Sequence, residues 1–447
     1  MFSKSKFTRG MNCQKSLWLY VHKNEERLVS EASLAVMAQG TSVGELACKY
    51  FPGGKMAVLE DYPWIESAER TQEFIRLGVE TIYEATFIYD DTLVAVDILH
   101  KNNGKWCLYE VKSTKSVKPQ HIKDVAIQYY VLKGCGLDLE DAFLMHLNRD
   151  YVRRGDLDVK QLFLPESVLA QIVPLQQDIA SNLVLLREML ENEEPVIPMG
   201  GQCSSPYACD FQAYCSRLVP AVEQEIKVLS SMPEVKEAEV KAFVNNVQYP
   251  LHHLDFETIM PAVPMFDESR PYQAIPFQFS LHCQEMDRGE IKHCAYLAES
   301  NPDIDPGIGL IKQMIEQTKN ATTIFMYSPY ERTMINQMRR DFPVYADELQ
   351  FIVDRLVDLI VPFRKKYYKT ETMEGSASIK KVLPAICPEL SYSDLEIGNG
   401  MTASNSFLVL YSSSDEEYIA TTRENLLKYC HLDTLAMVKV FEVLQKV

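Results

Sequence analysis

The sequence predicts an α/β protein made of two domains. Its 447 residues are more than one hydrophobic core usually serves. Runs of β-branched and aromatic residues bounded by turn signals recur in both halves, with helix-period stretches between them. Each half also carries its own acidic strand pattern, Asp97 with Glu110-Val-Lys112 in the first and Asp255-Phe-Glu257 in the second.

A polar lead with Ser3 and Ser5 precedes Cys13 and the apolar Leu17-Trp18-Leu19. From Ala32 to Tyr50, the apolar residues Leu34, Val36, Met37, Val43, Leu46 and Ala47 follow a helical period, which Pro52-Gly53-Gly54 ends. Another helix is expected over 66–78 and a strand over 83–89. The runs Thr92–His100 and Trp106–Lys112 flank Lys101-Asn-Asn-Gly104, the signature of an antiparallel hairpin. Strand side chains alternate faces, so Glu110 and Lys112 point one way and Val111 the other, with Asp97 in reach on the paired strand. Two carboxylates and an ammonium at the end of a sheet suit a divalent metal and a polarised water. A lone Glu-x-Lys is more often a solvated surface pair, so the motif draws its weight from its company.

After the hairpin, the basic stretch 113–123 leads into a helix carrying Gln128, Tyr129 and Tyr130. Lys118, His121 and Lys123 read equally as phosphate contacts or a solvated basic face. Tyr129 and Tyr130 read as base-stacking rings or core. A strand over 142–148 and a long amphipathic helix over 166–192 complete the half. Cys203, Cys209 and Cys215 follow at regular five-residue gaps. Paired Cys-x-x-Cys knuckles, the usual sign of zinc, are absent from this stretch. Thiolate ligation of a four-iron cluster fits better, with Cys13 as the candidate fourth ligand, and would restrict the unfolded chain much as a long-loop disulfide does. Cys48, Cys107 and Cys135 sit in apolar runs and are expected in the core.

Residues 219–245 read as a connector. Beyond it, strands are expected ending in Asp255-x-Glu257, over 277–283, 291–297 and 321–327, the last running through Ser328 to Glu331 and into a helix. A helix is expected over 351–369, holding Asp354 and Asp358 and closing on the basic run Arg364–Lys369. The final helix, from about Thr422, places Tyr429 and Asp433 on one face.

A net charge of −17 argues against coating nucleic acid by bulk electrostatics, yet permits a local basic groove. Nothing approaches the roughly 18 apolar residues of a membrane span, and the N-terminus lacks a signal peptide's apolar core. The expectation is a cytoplasmic protein without membrane contact, and the eleven cysteines fit free thiols or metal ligation better than disulfides.

Asp97, Glu110-Val-Lys112 and Gln128, with the early Cys13 and the late Cys203, Cys209 and Cys215, resemble the iron–sulfur branch of the PD-(D/E)XK nucleases over about residues 1–220. That branch includes RecB-type nuclease domains and the CRISPR-associated adaptation exonuclease. The resemblance implies a restriction-endonuclease-like domain over 1–218 in which Asp97 and Glu110 bind Mg²⁺ or Mn²⁺, Lys112 stabilises the attacked phosphate, Gln128 supports the site and a 4Fe–4S cluster holds the fold. Many relatives carry a metal-binding His on the early helix. Here Gly44 stands at that place, followed by Glu45, which reads as a substitute ligand, a mark of a single-metal site or a solvated residue.

Asp255, Glu257, Glu331 and Tyr429-x-x-x-Asp433 resemble the motifs of DEDD-type exonucleases in the RNase H-like superfamily, implying such a domain over 246–447. In that family carboxylates hold two metals about 4 Å apart and the tyrosine positions the water. Ser328 and Glu331 stand where the second motif usually has Asn and Asp. The fusion order resembles a bacterial family in which an iron–sulfur nuclease precedes an RNase H-like domain. Together the resemblances imply a nuclease acting on DNA single strands or ends, with RNA as an alternative substrate. A nucleic-acid-binding scaffold with a degenerate second domain is the competing reading. Protein partners are not specified by the sequence.

Overall fold

The computed structural model describes residues 1–58, 63–218, 233–392 and 395–447. It is a mixed α/β chain of two compact units, Met1–Ala221 with Ala262–Tyr272 and Val222–Pro261 with Gln273–Val447. The expected boundary near 219–245 is therefore only part of the division, because 262–272 belongs to the first unit. Residues 219–232 of the expected connector lie outside the described residues. Its remainder is structured, as the strand Glu234–Val235 paired with Tyr368–Lys369 and the helix Glu237–Asn245.

The first unit is organised on a seven-stranded sheet. Its path runs Lys55–Met56, Thr81–Tyr89, Thr92–Asn102, Lys105–Lys112, Leu139–Leu147 and Phe163–Ser167, with Phe2–Ser3 pairing parallel to Thr92–Leu93. The hairpin turns at Asn103 and Gly104, whose φ values of 47° and 88° are the left-handed pair that a two-residue turn of this kind requires. One sheet face packs Val94, Val96 and Leu108 against Val125, Ile127 and Leu132 of the helix Pro119–Gly134. The other packs Tyr83, Ile98 and Met145 against Val43 and Ala47 of the helix Glu31–Cys48, and Ala262 joins them. Covered on both faces, the central strands are apolar almost throughout.

The excursion 262–272 is tied into this unit by hydrogen bonds. Arg153 N donates to Ser269 O (3.0 Å), Glu268 N to Arg153 O (2.8 Å), and the Tyr272 hydroxyl to Ser113 O (2.6 Å). The continuous helix expected over 166–192 is broken. Phe163–Ser167 is a strand, Leu169–Ile172 a single turn, and Gln176–Leu190 the helix proper. Pro174 sits at the break, where its missing N–H would interrupt a helix. Cys48 is half-buried and Cys107 buried, but Cys135 is exposed rather than in the core.

The second unit has a five-stranded sheet ordered Ile291–Leu297, Ile275–Gln284, Leu251–Ile259, Thr323–Met326 and Leu356–Asp358. The first three strands are antiparallel and the last two continue parallel to Leu251–Ile259. One face packs Leu254, Phe256 and Leu281 against Leu310, Ile335 and Ile352. The 30-residue helix Glu416–Gln445 lies on the other, joining Val440 and Phe441 to Leu251 and Phe325. The helix expected over 351–369 is instead the helix Ala346–Val353, the strand Leu356–Asp358 and the turn of helix Val361–Arg364. Leu356, Val357 and Asp358 pair with Ile324, Phe325 and Met326, so sheet pairing overrides the local helical pattern. No helix among the described residues is long and apolar enough to cross a membrane.

Candidate functional site

In the second unit, alternation along Leu251–Ile259 turns Asp255 and Glu257 to the same sheet face. The long helix crosses that face, fixed by Gln278 Nε2 donating to Leu426 O (2.8 Å) and by Ser280 and Thr434 sharing a 2.7 Å hydroxyl bond. Asp433 is thereby brought to the strand, and one oxygen from each of Asp255, Glu257 and Asp433 lies within 4.8 Å of the others. Glu331 completes the group from the first turn of the helix Pro329–Asp341. Ser328 caps that helix, accepting from Tyr330 N (3.1 Å) while donating to Glu331 Oε2 (2.9 Å). The charges of Glu331 and Asp255 act on one another.

Tyr429 is buried one turn before Asp433, at 4% exposure, its ring 6.4 Å from that of Tyr392. Sequence reasoning missed two neighbours. The Tyr392 hydroxyl donates to Asp433 Oδ1 (2.7 Å), and Lys380 Nζ lies 5.4 and 5.5 Å from the ring centres of Tyr392 and Tyr429 while donating to Gly398 O (2.8 Å). Burial, then the charges of Asp433, Glu257 and Glu331, pushes Asp255 well above the usual carboxylate range. Burial and Asp433 raise Glu257 against the opposing charge of Lys380. Burial also raises Asp433 and Glu331. An all-oxygen set this crowded has the chemistry of a hard divalent cation site. The basic residues Arg364, Lys365, Lys366 and Lys369 are exposed; Arg364 stands 3.9 Å from Asp358 and Lys369 2.7 Å from Glu234.

In the first unit, Glu110 is 1% exposed and fully bonded. Its oxygens accept from Lys4 Nζ (2.9 and 3.0 Å), Lys112 Nζ (2.7 Å) and Gln128 Nε2 (2.6 Å). Lys112 also pairs with Asp124 at 2.8 Å. Asp97 Oδ2 accepts from Val111 N at 2.5 Å. Burial would raise the Glu110 carboxyl, but the ammonium groups of Lys112 and Lys4 outweigh it and hold it below the usual range. Burial and the Glu110 charge push Asp97 upward.

Glu84 is an unforeseen third acid here. The ladder pairs Tyr83 with Ile98 and Ala85 with Val96, leaving Glu84 opposite Asp97 with a left-handed φ of 51°. Glu84 is among the charges acting on Asp97, whereas Glu45 is exposed on the helix Glu31–Cys48. The lone acid in the apolar run Tyr83-Glu84-Ala85 was the available signal. Lys118 and Lys123 are exposed, but His121 is buried, and burial lowers it to about 4. It is therefore not a phosphate contact. Tyr129 and Tyr130 are both half-buried and pack against the core.

Cys13, Cys203, Cys209 and Cys215 line one cavity together with Lys15 and Ser16. Cys13 sits between the helices Lys4–Asn12 and Gln14–His22, and Cys215 lies on Gln212–Leu218. Asp210, next to Cys209, anchors the loop through Arg9 (2.6 and 3.0 Å) and Arg27 (2.5 Å). Burial raises the Cys215 thiol, Lys15 opposes it, and the three other cysteines act on it. Four thiolates in one cavity are the ligand number of a tetrahedral zinc site, at about 2.3 Å per thiolate, and equally of a four-iron cluster.

An α/β chain with one acidic cluster per unit is the class that fold and geometry define. Residues 252–378 match a family described as a domain of unknown function, DUF2779. That stretch contains Asp255, Glu257 and Glu331 and ends before Lys380, Tyr429 and Asp433. The chain is similar to the "uncharacterized protein MG366 homolog" of Mycoplasma pneumoniae, 27% identical over 209 residues covering 42% of this chain and 31% of that protein. The corresponding uncharacterized protein MG366 of Mycoplasma genitalium is 25% identical over 216 residues, 43% of this chain and 32% of the relative. The chain thus spans about a third of the length of these curated relatives. No solved structure matches.

Proposed function

We propose that the chain is a metal-dependent nuclease that hydrolyses DNA at single strands or ends. The N-terminal part would be a PD-(D/E)XK-type domain and the part from 246 onward an RNase H-like, DEDD-type domain. The observation that carries this reading is the convergence of Asp255, Glu257 and Asp433 within 4.8 Å, from a strand and a helix about 175 residues apart in sequence. Asp255, Glu257 and Asp433 would hold Mg²⁺ or Mn²⁺, with Glu331 beside them. Such ions, when bound, supply Lewis-acid stabilisation of the charge on a transferring phosphoryl group.

The chain's own groups have distinct tasks. Tyr429, raised above its usual range by burial and then Asp433, stays a neutral phenol, and its hydroxyl orients the attacking water. Lys380 offers a cation beside the acids. In the N-terminal domain Lys112 is held charged by Glu110 and Asp124 against its burial, suiting it to an anionic phosphate. Cys13, Cys203, Cys209 and Cys215 would hold a 4Fe–4S cluster, which supplies cross-linking of distant segments rather than hydrolysis.

The test is Mn²⁺-supported degradation of a 5′-labelled single-stranded DNA by wild type, Lys112→Ala, Asp255→Asn and the double variant. Asp255→Asn should stop trimming from the 3′ end, and the double variant should be inert. Equal degradation by all four sinks the proposal. An RNA oligonucleotide of the same sequence, run in competition, separates the two substrates through the 2′-hydroxyl. Apart from the scaffold reading, which concerns the second domain, one observation favours a binding rather than a cutting role for the first unit: Lys4 takes both oxygens of Glu110 at 2.9 and 3.0 Å. DNA binding without cleavage in Asp255→Asn, unaltered by Lys112→Ala, would select it there.

A further inference from the structure

A second convergence lies on the acid-bearing face of the C-terminal sheet and has no part in the hydrolytic reading. His282 stands on Ile275–Gln284, and His293 faces it directly in register on Ile291–Leu297. His431 reaches the same place from the long helix. One ring nitrogen of each lies within 4.8 Å of the others, and the three ring centres are 4.6, 4.9 and 4.3 Å apart. Ser280, which pairs with Asp255 in the ladder, stands between this group and the carboxylates.

Two buried hydroxyls orient the rings. Thr434 Oγ1 lies 2.8 Å from His282 Nδ1 and 3.2 Å from the His431 carbonyl. Ser280 Oγ shares hydrogen bonds with Thr434 Oγ1 (2.7 Å) and His293 Nε2 (2.9 Å). Both hydroxyl residues are fully buried. His282 Nε2 and His293 Nδ1 are the ring nitrogens these contacts do not use. Metal-binding histidines are commonly oriented in this way, by a partner that fixes the other nitrogen.

We propose that His282, His293 and His431 form a binding site for one divalent transition-metal ion of the zinc class, separate from the carboxylate cluster. Neutral imidazoles select zinc-like ions, whereas the all-oxygen set around Asp255 selects Mg²⁺ or Mn²⁺. Three histidines leave a fourth coordination position. His293 is exposed while His282 is buried, so the opening faces solvent. The ion would join two neighbouring strands to the C-terminal helix, and its binding free energy would add to folding stability.

The test uses the full chain, stripped with chelator and dialysed against Zn²⁺ alone in excess Mg²⁺, which fills the oxygen site. Zinc per chain is measured for wild type, His293→Ala, His431→Ala and Asp255→Asn; zinc held by thiols is common to all and cancels. Wild type and Asp255→Asn should each hold one zinc more than either histidine variant. Zn²⁺ should also raise the melting midpoint of wild type more than that of His293→Ala, whose exposed position tolerates substitution. Equal zinc content and equal thermal response in wild type and His293→Ala would overturn the site. Loss of the same zinc from Asp255→Asn would overturn its independence from the acids.

Discussion

Asp255→Asn is expected to stabilise the metal-free protein while ending its response to divalent cations. Ligand oxygens of Asp255, Glu257 and Asp433 lie within 4.8 Å of one another. At that separation each ionised pair repels by about 3.5 kcal/mol at an effective dielectric constant near 20. Asp255 belongs to two of the three pairs. Part of this repulsion is already relieved by proton uptake, because burial and neighbouring charge raise all three acids. With that discount, the nearly isosteric asparagine should gain about 2 kcal/mol, or about 4–8 °C in a unit of this size. Melting followed by circular dichroism at about pH 8 in chelator reads this directly. Saturating Mn²⁺ should then reverse the order, since a cation at 100 times its dissociation constant stabilises by about 2.7 kcal/mol and only wild type binds it. A variant melting at or below wild type in chelator, or lifted equally by Mn²⁺, would refute the reasoning.

The same acids set a pH dependence. Glu257, pushed up to about 8 by burial and then Asp433, binds its proton more tightly folded than unfolded, so metal-free stability falls as pH rises from the ordinary carboxylate range through that value. Chelated protein should melt higher at about pH 6 than at pH 8, and a flat or opposite profile would contradict the assignment. Lys4→Met removes one of the two ammonium partners of a carboxylate only 1% exposed. It should cost about 2 kcal/mol in urea unfolding; an unchanged midpoint would mean the contact contributes nothing. Anaerobically purified wild type should be brown and contain iron and sulfide, with colour lost in Cys209→Ser. A colourless wild type without iron and sulfide would count decisively against a cluster.

What could be read in the sequence followed from periodicity. Alternation places Glu110 and Lys112 together, and a four-residue step joins Tyr429 to Asp433. What could not be read depended on sheet register or on distance along the chain. Lys4 meets Glu110 across 106 residues, a separation with no local trace. Glu84 reaches Asp97 through a left-handed residue inside a strand, which an apolar pattern gives no cause to expect. His282 and His293 become neighbours only once two strands are aligned. The strand Leu356–Asp358 passed for helix because its short apolar run fits either period until its pairing with Ile324–Met326 is known.

The excursion 262–272 bears on how this protein can be dissected. Ala262 fills a cluster with Val43 and Ala47, and Tyr272 bonds to Ser113, next to Lys112. A gene cut between the halves, say at residue 245, would release an amino-terminal fragment lacking its plug and a carboxyl-terminal fragment trailing a displaced loop. Insolubility of such fragments would then report the threading of the chain, not a failure of either half to fold. Cloning boundaries should keep the whole chain and silence each half by point substitution.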